Sequence, residues 1–61
     1  MKVLDILRIT SGTISIRCGN FAKEPYAVGT RSDISHDYDH VNVERISFEQ
    51  IDGFTAIAII I

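Results

Sequence analysis

The sequence predicts an α+β domain: one N-terminal helix packed on a four-stranded, mostly antiparallel sheet, with a short helical turn between strands 2 and 3. Three observations predict it. The first ten residues place apolar side chains at helical spacing. Thr13 to Gly19 alternates between apolar and polar. Asp52-Gly53 separates two apolar runs in the manner of a tight hairpin turn. The chain has 61 residues, enough for one small domain over 1–61. A domain of this size buries only about 60% of its unfolded surface, so help from a partner chain is expected.

In MKVLDILRIT, Val3, Leu4, Ile6 and Leu7 form one stripe and Lys2, Asp5 and Arg8 lie opposite. Ser11-Gly12 ends the helix, because glycine takes the left-handed conformation without steric cost. A strand turning at Ser11-Gly12 competes with this reading, but Leu4, Ile6, Leu7 and Ile9 would then point to both faces. Thr13 to Gly19 follows as a strand, with Ile14, Ile16 and Cys18 on one side and Thr13, Ser15 and Arg17 on the other. The connection from Gly19-Asn20 reaches Pro25, and Tyr26 to Arg31 returns as the antiparallel partner. Proline is tolerated at that start because its missing N–H lies outside the ladder.

Ser32 to His40 is polar and carries capping signals. Asp33 or Ser35 serves as N-cap, Asp37 falls in the first turn, and Tyr38 folds back onto Ile34. Val41 to Gln50 reads as the third strand, with Ile46 and Phe48 inward and Glu44 and Arg45 at its outer side or near a bulge. Phe54 to Ile61 is the fourth, and it is apolar on both faces. One helix hides only one face. Leaving three isoleucines in water forfeits about 1.5–3 kcal/mol each. Ile57, Ile59 and Ile61 are therefore expected to build a homo-oligomer interface, a dimer first. The alternative is a central strand over which the sheet curls.

Composition excludes several classes. Leu, Ile, Val and Phe supply 20 of 61 residues at a net charge of −2, which is incompatible with disorder. A single cysteine, Cys18, provides no intramolecular disulfide framework, and its place beside Ile16 reads as core rather than reactive thiolate. Met1-Lys2 leads into a stretch broken by Asp5 and Arg8, so no signal peptide is expected. The longest apolar run, Phe54 to Ile61, is far short of the roughly 20 residues of a membrane helix. A soluble chain in the reducing cytoplasm, with no membrane contact, is the expectation. Charge is uneven: residues 1–31 carry five positive and two negative side chains, residues 32–61 one positive and six negative. Either the surface is dipolar and docks a charged partner, or the opposite charges meet across neighbouring strands. Four arginines and two lysines are too sparse for a nucleic-acid footprint.

Chemistry-bearing patterns are few. His36 and His40, four apart, would share a helical face and hold a metal ion with a carboxylate. The segment is short and lacks the intervening glutamate of zinc-hydrolase helices, so neither metal nor cofactor is expected. The serines sit in turns or strand surfaces without a nucleophile elbow, and the glycines punctuate turns rather than cradle phosphates, so no enzyme activity is expected. For contact with a partner protein the candidates are Tyr26, Arg31, Asp37, Tyr38, Asp39 and Glu44, since tyrosine and arginine combine area with directed hydrogen bonds. Arg17, Arg31 and Arg45 are the alternative set, holding a phosphate-bearing nucleotide signal at a subunit seam. Against both stands the ordinary use of such arginines, pairing with Glu44, Glu49 and Asp33.

The run MKVLDIL, followed by TISIRCGN, AVGTRSDIS and VNVERISFEQIDGFTAIAII, resembles small accessory proteins of phages and prophages in Gram-positive bacteria. The matching positions are Met1 to Leu7, Gly29, Asp33-Ile34, Val43, Ile46-Ser47 and Phe54 to Ile60. The chain departs from that pattern at Phe21 to Pro25 and at Arg17 and Cys18, where acids are common. The resemblance carries over no catalytic residue. It implies a non-enzymatic protein that binds and inhibits a host defence component, in the way of anti-CRISPR proteins, or else a structural or regulatory phage accessory.

Overall fold

In the computed structural model, which describes all 61 residues, helix α1 spans Val3–Ile9, strand β1 Ile14–Arg17 and strand β2 Ala27–Gly29. A 3-10 turn at His36–Tyr38 precedes strands β3, Arg45–Ile51, and β4, Phe54–Ile60. The architecture is the α+β arrangement read from the sequence. The four strands form one mixed sheet in the order β2-β1-β4-β3. Two antiparallel hairpins, β1–β2 and β3–β4, are joined by parallel pairing of β1 with β4, from Ile14 opposite Ile57 to Arg17 opposite Ile60.

Local chemistry accounts for the element ends. The Lys2 N–H donates to Asp5 Oδ2 at 3.0 Å, and the orphan N–H groups of Val3 and Leu4 donate to the carbonyls of Val41 and Asp39. The segment before β3 is thereby used to cap the helix, which is why β3 begins at Arg45 rather than Val41. Val43 continues this contact by donating its N–H to the Met1 carbonyl. Ser35 caps the 3-10 turn by accepting from the Asp37 N–H. At the β3–β4 turn Asp52 and Gly53 have φ of 50° and 82°, the left-handed pair that suits the twist of a two-residue hairpin.

The helix side of the sheet holds the core: Val3, Ile6 and Leu7 pack with Ile14, Ile16, Ile34 and Ile59. A helix is about 10 Å wide and strands lie about 4.8 Å apart, so one helix covers roughly two strands. Here those are β1 and β4. β3 is an edge strand outside this cover. Ile46 and Phe48, expected inward, do sit on the helix-facing side, yet they are 45% and 68% exposed.

The three isoleucines expected at a subunit seam are largely taken up by the core of the chain itself. Ile59 is fully buried, and Ile57 and Ile61 are half-buried against the core. The leftover apolar area belongs to the β3–β4 hairpin instead.

Candidate functional site

The face opposite the helix is closed by charge. Register places Ser15 and Arg17 of β1, Ala56, Ala58 and Ile60 of β4, and Arg45, Ser47 and Glu49 of β3 on this side. Alternation marks Ser15 and Arg17 as solvent-facing, but both are buried, Arg17 at 3% exposure. The reason is a bridge over β4. β1 and β3 are two strand spacings apart, about 10 Å. The small Ala56 and Ala58 side chains leave room for Glu49 to cross that gap. Its carboxylate accepts from the Ser15 hydroxyl and from Arg17 Nη1, each at 2.6 Å. Arg17 Nη2 donates to the carbonyls of Phe21 and Lys23, and the Phe21 ring stacks on the guanidinium at 4.3 Å. The β1–β2 connection is thus folded down over the sheet as a lid. The basic front half and the acidic back half of the chain meet in this ion pair.

The outer edge differs. Beyond Glu49 the β3–β4 hairpin presents Ile46 and Phe48 on the helix-facing side and Phe54, also 68% exposed, on the other. β3 has a neighbour on one side only, so one row of its backbone N–H and C=O groups faces solvent. It carries no lysine or proline, the residues that commonly blunt such edges. This strand, seven residues long with apolar side chains on an open edge, is the surface best built for a protein contact.

The sequence-predicted contact residues distribute around the molecule. Tyr26 is exposed beside β1, its N–H donating to the Ile16 carbonyl at 2.7 Å. Glu44 is exposed at the start of β3, its N–H bound to the Ile60 carbonyl. Asp37 is exposed on the 3-10 turn, while Tyr38 is half-buried against the core. Asp39 is half-buried; its Oδ2 pairs with His36 Nδ1 at 3.1 Å and its Oδ1 is buried without a partner. Arg31 lines the groove that also holds His36 and Asp39.

The three arginines of the alternative set do not converge. Arg17 is consumed by Glu49. Arg45 runs along the same face, where a Cβ on Gly19 would stand 3.5 Å from its guanidinium. Arg31 lies past the opposite end of β1, since Ile14 pairs with Gly29. The two histidines share no helical face, because the 3-10 turn ends at Tyr38, before His40. Cys18 is half-buried just past β1, its thiol donating to the Asn20 carbonyl.

One tight turn fixes the backbone on either side of Arg31. Asp33 Oδ2 accepts from both the N–H and the hydroxyl of Thr30 at 2.9 Å, and the Asp33 N–H returns to the Thr30 carbonyl. These bonds, the backbone one foremost, hold the Asp33 carboxyl below the ordinary carboxylate value. A Cβ on Gly29 would stand 2.6 Å from Asp33 Cβ, so this turn requires glycine there.

No protein-family model, curated protein or solved structure matches the chain. No helix is long and apolar enough to cross a membrane.

Proposed function

We propose that this chain is a non-enzymatic binding protein of the phage accessory kind, which inhibits a bacterial defence component in the host cytoplasm by covering part of its surface. The observation that carries the reading is the open β3 edge with Ile46, Phe48 and Phe54 exposed around it. Blocking by occlusion requires area and affinity rather than reacting groups, and an interface of about 800 Å² per partner is within reach of this surface. Glu44 extends the contact at one end of the strand. The same edge is where a second copy would pair, so the homo-oligomer expected from the sequence is relocated here from the isoleucines of β4.

Plaque formation tests the reading. In a bacterium whose defence restricts a phage, expression of the chain raises plaquing, and Phe48→Glu abolishes the effect while leaving the fold intact. Plaque counts that wild type does not alter across a panel of defence systems contradict it.

A further inference from the structure

Two grooves meet beside the C-terminal end of α1, on a part of the surface that the β3 contact leaves free. The first, about 370 Å³, is lined by Arg8, Thr10, Ser11, Gly12, Arg31 and Ser32 among others, and no carboxylate lines it. The second, about 400 Å³, shares Arg8, Arg31 and Ser32 and continues over Leu4, Leu7 and Ile34. Both lie in the size range of small-molecule sites.

The two guanidinium groups are what sets this place apart. The salt bridge of the chain between full charges is Arg17–Glu49, and Asp39 is hydrogen-bonded to His36, so neither Arg8 nor Arg31 has a carboxylate within 4 Å. Two like charges on one groove repel each other, and an anion held between them converts that repulsion into two attractions. Guanidinium forks match phosphoryl oxygens bidentately, and the surrounding hydroxyls add neutral donors. The backbone that carries Arg31 is fixed by the Thr30–Asp33 turn, whose carboxylate is already committed to Thr30. Opposing an anion are the last carbonyls of α1, equivalent to about half a unit of negative charge, and the single carboxylate of Asp39 in the second groove. Two full positive charges outweigh them. The second groove adds apolar lining next to the cationic one, together with His36 and Asp39.

We propose that the paired grooves bind a phosphorylated small molecule with a flat apolar body, of the nucleoside monophosphate class. The phosphoryl group sits between Arg8 and Arg31, and the body lies over Leu4, Leu7 and Ile34. The site lies within one chain and needs no subunit seam. It is independent of the β3 contact, so either proposal stands or falls alone.

The test is an NMR titration of backbone amides with adenosine monophosphate, inorganic phosphate and adenosine at low ionic strength. Adenosine monophosphate is expected to shift residues 8–12 and 30–32 with a Kd on the order of 0.1–1 mM, with phosphate weaker and adenosine silent. Arg31→Gln or Arg8→Gln weakens binding about tenfold or more, while Arg45→Gln changes nothing. No shifts at about 10 mM nucleotide overturn the proposal. Adenosine binding as well as its monophosphate overturns the role of the arginines. Phosphate binding as well as the nucleotide overturns the assignment of the second groove.

Discussion

Replacing Glu49 by leucine removes the carboxylate while keeping bulk over Ala56 and Ala58, and leaves the Arg17 guanidinium enclosed without its counter-charge. The side chains of Arg17 and Glu49 are 4% and 14% exposed, so water screens neither well. Removing one partner of a buried pair costs about 3–5 kcal/mol. A 61-residue domain has roughly 3–9 kcal/mol of stability in total. Glu49→Leu is therefore expected to consume most of it. Replacing both partners, Arg17→Met with Glu49→Leu, is expected to recover stability to within about 1–3 kcal/mol of wild type: no unpaired charge remains, and the residual loss is that of the buried Ser15 hydroxyl deprived of its Glu49 acceptor. The Phe21 and Lys23 carbonyls released by Arg17 belong to exposed residues and can turn to water. Urea denaturation followed by circular dichroism measures all four proteins, and the double-mutant cycle should give a coupling above about 2 kcal/mol. A loss below about 1 kcal/mol in Glu49→Leu, the value of a solvated pair, refutes the closed-face argument.

The Thr30–Asp33 turn makes two further predictions. Asp33 has a folded pKa below its ordinary 3.8, so its contribution is complete above that value and is lost as the pH falls through the lower folded one. A carboxyl NMR titration with a midpoint at or above 3.8 would contradict the Thr30 hydrogen bonds. Gly29→Ala forces the new Cβ against Asp33 and should destabilise by about 1–3 kcal/mol in urea; an unchanged midpoint would mean that the turn relaxes freely. At the β3–β4 hairpin, Gly53→Ala places a side chain at φ 82° and should cost about 1–2 kcal/mol, with the register retained.

Short-range signals in the sequence were the dependable ones. Asp52-Gly53, the Ser35 cap and the amphipathic stripe of Val3, Ile6 and Leu7 each act over a few residues, and each element formed where they pointed. What alternation could not convey was which strand would be central. Parallel pairing of β1 with β4 joins residues more than forty apart, and it decided both misplacements. It sank Ile59 into the core and pushed β3 to the edge, so Ile46 and Phe48 have the predicted side but not the predicted burial. Ser15 and Arg17 read as outward because alternation carries no sign of their cover, which comes from Glu49, more than thirty residues away, and from the fold of the β1–β2 connection back onto Arg17.

Arg31 was visible as a candidate, but its companion Arg8 was not, since a basic residue in a helix's last turn has an ordinary explanation in the helix dipole. The pairing of Ile14 with Gly29 is the missing link. It brings Thr10-Ser11-Gly12 alongside Thr30-Arg31-Ser32, two hydroxyl-rich segments that flank the first hairpin.

Hydrogen–deuterium exchange of the chain, alone and with the defence component whose block it relieves, tests most directly whether the open sheet edge is the contact surface. Slowed exchange is expected at the amides of Arg45–Ile51, with the β2 edge at Ala27–Gly29 unchanged. Protection confined to β2, or to the Arg8 and Arg31 grooves, with β3 exchanging as in the free protein, would contradict it.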